Sequence, residues 1–286
     1  MARFLNRDGA RAAVLLSPAY LWLTAAIFLP LSAMLYFSLL SDVPFGGAEW
    51  NYTSENYRAF FQTGTYATLL WKSLKLGLTV TLICVLIGFP CAYVLAKVIR
   101  GRSREALFLL IILPFWSNSL VRIFSWAIVL RGNGVLDLAL NAILPFDVRL
   151  GLMFTPSAVV IGLVHSYLPY VILTTYLALQ AIDDNLIDAA RSMGAKKRTI
   201  LWRLILPLSL PGLLAGAVLV FVPVVGSFME PRILGGRFGT YYGTVIEDQF
   251  VAVFNWPLGA ALSFILLAVV LVILAVFSPI LRKAQT

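Results

Sequence analysis

Residues 74–98 read LKLGLTVTLICVLIGFPCAYVLAKV, and no charged side chain lies between Lys75 and Lys97. An α-helix of about 20 apolar residues crosses the roughly 30 Å of hydrocarbon in a bilayer, so this stretch is long enough to span it. The sequence predicts an all-α membrane protein with about six transmembrane helices, because five other stretches have a similar length and composition. They are Leu15–Leu40, Ala106–Leu130, Ser157–Ala181, Leu204–Phe228 and Leu258–Leu281.

The composition of the chain supports this prediction. Of its 286 residues, 60% are hydrophobic and 12% are charged, whereas soluble domains carry about 25% charged residues. The first apolar stretch is too long for the core of a signal peptide and no small-residue cleavage site follows it, so we expect it to be retained as an anchor. A single transmembrane domain over residues 1–286 is the simplest organisation.

The positive charge lies in alternate connections between these stretches. The N-terminal tail, the second-to-third and fourth-to-fifth connections and the C-terminus together carry fourteen basic and five acidic side chains, an excess equal to the net charge of +9. The basic ones are Arg3, Arg7, Arg11, Lys97, Arg100, Arg102, Arg104, Arg191, Lys196, Lys197, Arg198, Arg203, Arg282 and Lys283. Basic residues accumulate in cytoplasmic loops, so we expect both termini to be cytoplasmic and no nucleic-acid partner.

The connection after the fourth stretch contains a distinct segment, residues 183–195, which reads DDNLIDAARSMGA. Asp183 or Asp184 is suited to cap the start of a helix, and Gly194 is suited to end it in a left-handed conformation. At spacings i, i+4 and i+7, one apolar face of this helix consists of Leu186, Ala190 and Met193. The segment predicts a short amphipathic helix on the cytoplasmic side, which either lies in a groove of a soluble partner or rests on lipid headgroups.

This segment resembles the cytoplasmic loop of the ABC importer permeases. That loop reads Glu-Ala-Ala, three residues, Gly, nine residues, Ile, any residue and Leu-Pro, and the chain matches it at Asp188-Ala189-Ala190, Gly194 and Leu206-Pro207. Asp188 replaces the usual glutamate and Leu204 the usual isoleucine. The resemblance implies a type I importer permease fold, in which a loop at about residues 182–203 forms a coupling helix that docks on an ATPase subunit. The implied coupling residues are Leu186, Asp188, Ala189, Ala190, Met193, Gly194 and Ala195.

Three further segments resemble the spermidine/putrescine-type branch of these permeases. They read LPFWSNSLVR at residues 113–122, MFTPSA at 153–158 and GSFMEPRILGG at 226–236. The resemblance implies a multi-pass protein of the bacterial inner membrane that imports polyamines or related small amino-group solutes. The implied partners are a second permease subunit, expected to be a different chain, two ATPase subunits that bind ATP and Mg, an extracytoplasmic solute-binding protein and membrane lipid. No cofactor bound by this chain itself is implied.

Aromatic and acidic residues are candidates for contact with a cationic solute, because ammonium groups bind over aromatic faces and carboxylates complete such sites. The candidates are Trp116, Tyr167, Tyr170, Glu230, Glu247 and Asp248. Aromatic residues also anchor membrane proteins at the interface, and outer acids are usually solvated, so both interpretations stay open. Arg122 would repel a polycation, and we expect it to have a structural or gating role. For His165 we expect a neutral imidazole bonded to a neighbouring helix.

An ion-driven secondary transporter is the alternative function. Such proteins place carboxylates near the bilayer midplane or contain inverted repeats, and no Asp or Glu lies deep in a predicted span. A membrane enzyme is disfavoured, because His165 has no cysteine or carboxylate at helical spacing within its span and the chain has no Gly-rich phosphate loop. We therefore expect a non-catalytic subunit without a metal site.

Overall fold

The computed structural model describes residues 2–42, 51–147 and 149–283. Within these ranges the chain forms helices and no β-strand, so the predicted all-α class is confirmed. The α-helices are α1 (Ala2–Ser38), α2 (Glu55–Gln62), α3 (Gly64–Tyr93), α4 (Arg102–Ile112), α5 (Ser119–Leu130), α6 (Val135–Ile143), α7 (Pro156–Gln180), α8 (Asp184–Ser192), α9 (Lys197–Ile200), α10 (Leu206–Val225), α11 (Met229–Leu234), α12 (Tyr242–Val251) and α13 (Trp256–Lys283). The shorter helical turns are π-helical at Val94–Val98 and Leu201–Ile205, and 3₁₀-helical at Leu113–Trp116 and Gly236–Phe238.

In the described part of the chain, five continuous helical segments are long and apolar enough to cross a membrane. Two further helical pieces, Arg102–Trp116 and Ser119–Leu130, pass the same criteria together; they are bent by 98° at the break between them and count as the sixth candidate span. The prediction of about six spans is therefore confirmed, with one correction: the expected single helix Ala106–Leu130 is broken after Trp116. The continuous spans are Leu15–Ser38, Gly64–Val98, Pro156–Gln180, Lys197–Val225 and Trp256–Val276.

Side chains at the break in the third span satisfy the backbone groups that the bend frees. The carbonyl oxygen of Pro114 accepts hydrogen bonds from the Ser117 hydroxyl at 2.8 Å and from Nη1 of Arg122 at 3.1 Å. The Asn118 side chain accepts a hydrogen bond from the backbone N–H of Leu120 at 2.8 Å and so caps α5. These contacts replace intrahelical bonds that the bend removes. Arg122 thus makes a structural contact of the kind expected from the sequence.

The chain packs as two compact units. One consists of Met1–Thr63 and Asp248–Ile265. In this unit the Asn56 side chain of α2 donates hydrogen bonds to the carbonyl oxygens of Ser38 and Leu40, at 3.1 and 2.8 Å. These carbonyl groups lie at the end of α1, where no further helical turn is present to bond them. The contact therefore fixes the end of the first span against the short helix that follows it.

The other unit consists of Gly64–Glu247 and Leu266–Thr286, and its core is formed by α3, α7 and α10. Glycines let these three helices approach closely. A Cβ atom at Gly88 of α3 would lie 2.9 Å from Cγ1 of Val171 on α7, and a Cβ atom at Gly216 of α10 would lie 2.9 Å from Cα of the same valine. The backbone of α7 is therefore held tightly between α3 and α10.

The single transmembrane domain over residues 1–286 and the cytoplasmic location of both termini stay predictions. That location rests partly on five residues of which the structure describes the backbone but not the side chains; they are Arg3, Arg7, Arg11, Arg282 and Lys283.

Candidate functional site

The amphipathic segment predicted at residues 183–195 contains the helix α8. Asp183 is its N-cap, and the Asp183 side chain accepts a backbone N–H hydrogen bond at 2.9 Å. Gly194 follows the helix with φ = +82°, and the N–H of the next residue returns to the carbonyl oxygen of Ala190 at 3.1 Å. A left-handed residue with a returning hydrogen bond is the usual helix end at glycine. The predicted helix and its glycine terminus are confirmed.

The apolar face of α8 differs from the predicted arrangement. Leu186 and Met193 are 51% and 81% exposed, whereas Ile187 is 7% exposed and Ala190 is half-buried. Ile187 therefore anchors the helix. The predicted apolar face is exposed at both of its ends, Leu186 and Met193. Exposed apolar side chains on one short helix form a surface that suits a partner. Of the other predicted coupling residues, Asp188, Ala189 and Gly194 are exposed and Ala195 is half-buried.

Ile187 anchors α8 in an apolar cluster made of residues that are distant in the sequence. The buried members of this cluster are Ala92, Leu95, Ile172, Tyr176, Leu179, Ile182, Ile187, Ile200 and Ile205. They come from the end of the second span, the end of α7, α8 itself and the start of the fifth span. The position of α8 therefore depends on how three spans pack at this end of the bundle.

Lys97 adds a polar contact between the end of the second span and the start of α8. Its Nζ atom lies 2.7 Å from the carbonyl oxygen of Ile182 and 2.6 Å from Oδ1 of Asp184. The Lys97 side chain is 8% exposed and that of Asp184 is 65% exposed. The hydrogen bond and the charge of Lys97 hold the pKa of the Asp184 carboxyl below its usual value of 3.8. Asp184 is therefore ionised at neutral pH, and the ion pair is formed.

This ion pair should not respond to pH in the physiological range. A carboxylate with a lowered folded-state pKa contributes stability above its unfolded pKa, and the contribution is lost as the pH falls through the folded value. We expect the amide protons of α8, after correction for intrinsic exchange rates, to keep constant protection between about pH 5 and pH 8 and to lose it only below about pH 4. Hydrogen exchange measured by mass spectrometry checks this, and a loss of protection near pH 6 would contradict it.

A second group of predicted residues lies along α7. The rings of Tyr167 and Tyr170 have centroids 6.0 Å apart. The Phe115 ring packs edge-on against Tyr170 with a centroid distance of 4.7 Å. Glu230, on α11, interacts electrostatically with Tyr167, and its Cγ atom would lie 4.0 Å from a Cβ atom at Gly162 of α7. The fold thus collects aromatic rings and a carboxylate around one helix.

Glu230 is buried, so of the two interpretations that the sequence left open, a solvated outer acid does not apply. It is 8% exposed, and its Oε2 atom accepts a hydrogen bond from the Ser227 hydroxyl at 2.8 Å. Ser227 was not singled out by the sequence reasoning, although its position three residues before an acid near a helix start is typical of a local side-chain hydrogen bond. A buried carboxylate with one hydroxyl partner retains capacity to accept further hydrogen bonds.

Arg122 and His165 lie near this group on α5 and α7. The Arg122 guanidinium interacts electrostatically with both Tyr167 and His165. Among the described residues, neither Nε of Arg122 nor Nδ1 of His165 has a hydrogen-bond partner. The His165 ring packs edge-on against Trp126 instead, with centroids 5.3 Å apart. The expected hydrogen bond from His165 to a neighbouring helix is therefore not made at Nδ1.

The other three predicted solute residues have different surroundings. Trp116 is 85% exposed at the break in the third span. Glu247 forms an ion pair with Arg232, so its charge is already compensated. Asp248 belongs to the other compact unit, where its backbone carbonyl oxygen accepts a hydrogen bond from the N–H of Ala252 at 2.9 Å. Solute contact by these residues stays a prediction.

Comparison with known proteins identifies the family. Residues 63–284 match the model of the family described as binding-protein-dependent transport system inner membrane component. The spermidine/putrescine transport system permease protein PotB of Escherichia coli is 37% identical over 256 residues, which cover 90% of this chain and 92% of that protein. PotB of Haemophilus influenzae is 37% identical over 85% of this chain and 84% of its own length.

The fold is likewise similar to that of a solved importer. A chain of a bacterial ABC transporter involved in the import of the acidic polysaccharide alginate superposes with a TM-score of 0.75, at 18% identity and over 99% of both chains. This similarity confirms the importer-permease fold. Because the family model covers most of the sequence, the chain is a multi-pass inner-membrane permease and belongs to the family of binding-protein-dependent transport system inner membrane components.

Proposed function

We propose that this chain is one of two permease subunits that form the solute pathway of an ATP-driven importer for polyamines such as spermidine and putrescine. The observation that carries the proposal is α8, which is anchored by Ile187 and exposes Leu186 and Met193. An amphipathic helix presented in this way fits a groove on a soluble partner. We assign that groove to the ATPase subunit, whose closure on ATP would move α8 and, through it, the spans.

The proposed assembly contains a second, different permease chain, two ATPase subunits and an extracytoplasmic solute-binding protein. ATP and Mg²⁺ would be bound by the ATPase subunits, and this chain would be non-catalytic and hold no cofactor. The cytoplasmic face would carry α8 and both termini, because the basic connections accumulate there. Import, with solute delivered from outside, is the direction that a binding-protein-dependent system requires.

A cationic solute is supported by the group of residues along α7 and by the relatives. Two of the relatives are named for spermidine and putrescine and are 37% identical to this chain. The Tyr167 and Tyr170 rings offer faces to an ammonium group, and the buried Glu230 carboxylate offers a compensating charge. Arg122 lies close enough to oppose a polycation, so we place solute contact at Glu230 and the tyrosines rather than at Arg122.

Reconstitution with the partner subunits tests this proposal. ATP hydrolysis would be measured in proteoliposomes with the binding protein and with spermidine, putrescine or a non-polyamine amino acid. We expect the polyamines to stimulate hydrolysis. Stimulation by another amino-group solute alone would discard polyamines and keep the permease role. A well-formed complex without any solute-stimulated hydrolysis would contradict the coupling role, and uptake that persists after ATP depletion with an ion gradient present would favour a secondary transporter.

Replacing Glu230 by glutamine should weaken transport of spermidine. The amide oxygen can still accept the Ser227 hydroxyl, so the local fold is kept while the negative charge is removed. A charged hydrogen bond contributes about 1.5–3 kcal/mol, and we expect the KM for spermidine uptake to rise at least about tenfold. Glu55→Gln, at an exposed acid on α2, is the matched control. An unchanged KM in the Glu230 variant would remove this residue from the solute pathway.

A further inference from the structure

The second span ends in an unusual helical turn. The chain widens from α3 into a π-helix at Val94–Val98, and the N–H of Ile99 bonds the carbonyl oxygen of Val94 at 3.0 Å. One additional residue is accommodated in such a turn, and π-helical turns are frequent at functional sites. Lys97 lies within this turn, with its side chain 8% exposed.

The Lys97 ammonium is directed at α8. It donates to the carbonyl oxygen of Ile182, in the connection between α7 and α8, and to Asp184, in the first turn of α8. A lysine side chain is almost never this deeply buried unless it is paired, and the two acceptors offset the cost of removing the charge from water. Within the described ranges, these two hydrogen bonds from Lys97 connect the second span to the start of α8.

The covalent connections of α8 run elsewhere. They join α8 to α7 through Ala181–Asp183 and to the fifth span through residues 193–196. The second span is separated from α8 by more than eighty residues of sequence, and besides the Lys97 contact the two share, among the described residues, only the apolar cluster that contains Ile187. Apolar packing is non-directional, whereas a hydrogen-bonded ion pair fixes the distance and direction between two groups.

We propose that Lys97 is a positioning residue that ties α8 to the second span, so that a displacement of α8 moves three core helices rather than two. This inference rests on the proposed function, in which α8 receives movement from an ATPase. Without the Lys97 hydrogen bonds, α7 and α10 would still move with α8 through their covalent connections. Only apolar contacts would then connect α3 to α8.

The first test uses the full chain in detergent and needs no partner. Hydrogen exchange over Asp184–Ser192 would be compared in the unmodified chain, Lys97→Met, Lys97→Arg and Lys75→Met. Lys75 is an exposed lysine on the same helix and gives the matched loss of charge. We expect exchange over α8 to be about tenfold faster in Lys97→Met, the factor expected for losing one charged hydrogen bond. Lys97→Arg should restore most of the protection, and Lys75→Met should leave it unchanged.

The second test measures the spermidine transported per ATP hydrolysed in the reconstituted complex. A merely structural role would lower the amount of complex but not this ratio. We expect the ratio to fall by about fivefold or more in Lys97→Met, the lower range of coupling between distant sites, and to recover in Lys97→Arg. Asp184→Asn, a change at an exposed side chain, should lower it less, because the bond from Lys97 to Ile182 remains.

Each outcome decides one claim. Unchanged hydrogen exchange over α8 in Lys97→Met would show that Lys97 does not hold α8 to the second span. Faster exchange with an unchanged transport ratio would overturn the positioning role. If the complex of unmodified chains shows no spermidine-stimulated hydrolysis, the proposed function fails, and the exchange result alone decides whether Lys97 holds α8.

Discussion

Replacement of Gly194 by valine is expected to reduce solute uptake by at least about tenfold while the chain still inserts into the membrane. Gly194 has φ = +82°, and a Cβ atom there would have no heavy atom within 4 Å. The obstacle is therefore the backbone conformation and not steric contact. A left-handed conformation costs an L-residue about 1–2 kcal/mol, and a β-branched residue there is a genuine outlier. The end of α8 must rearrange, and the exposed Met193 beside it is displaced.

Two control variants separate this backbone effect from others. Gly194→Asn should retain most of the uptake, because asparagine tolerates the left-handed region. Gly64→Val introduces the same side chain at another glycine that has no heavy atom within 4 Å of a Cβ atom and does not have a positive φ. Uptake of spermidine per inserted chain, with insertion measured by immunoblot of membranes, is the measurement. Normal uptake by Gly194→Val would refute the role proposed for α8.

Replacement of Gly216 by valine should destabilise the packing of α10 against α7. A Cβ atom at Gly216 would overlap Oγ1 of Thr174 and lie 2.9 Å from Cα of Val171, a backbone atom that cannot rotate away. Overpacking of this kind typically costs about 1–3 kcal/mol, whereas the gain in helix propensity from Gly to Val is only a few tenths of a kcal/mol. The overlap therefore dominates, and we expect the unfolding midpoint in detergent to fall by about 5 °C or more.

The matched control is Gly226→Val. Gly226 ends α10, and the nearest atoms to a Cβ there, Cδ2 of Leu266 and the carbonyl oxygen of Pro223, are both 3.9 Å away. That is ordinary van der Waals contact, so the midpoint should change little. Thermal unfolding is followed by thiol labelling of the buried Cys84, in a chain whose exposed Cys91 is replaced by serine, and reports on the core around α3. Equal midpoints in the Gly216 and Gly226 variants would contradict the close approach of α10 to α7.

The spans could be predicted from hydropathy, but the break in the third one could not. Its proline, Pro114, is one of several in the predicted spans, and Pro30, Pro90 and Pro169 all lie inside continuous helices. Proline alone therefore does not decide whether a helix bends or breaks. At the break, Arg122, one turn into the next helix, bonds the freed carbonyl group of Pro114, and this contact could not be predicted from hydropathy.

The first and last residues of α8 could be predicted from the local sequence, whereas the side of the helix that faces the rest of the chain could not. Capping by Asp183 and the left-handed Gly194 need only their own neighbours. Which apolar residue faces inward depends on remote partners such as Ala92 and Ile200. The same holds for Glu230, because its burial depends on the packing of α11 beside Gly162 of α7, which the local sequence does not specify.

At the break of the third span, Trp116, Ser117 and Asn118 are all exposed in the single chain. Non-helical peptide groups do not occur in contact with lipid tails, since no water is there to bond them. The helical pieces on either side, Arg102–Trp116 and Ser119–Leu130, are about 25 Å and about 18 Å long, so neither alone crosses the hydrocarbon layer. We therefore expect residues 116–118 to face water or another subunit rather than lipid tails. A lipid-soluble carbene reagent would label the exposed Leu82 and Leu86 and leave residues 116–118 unmodified.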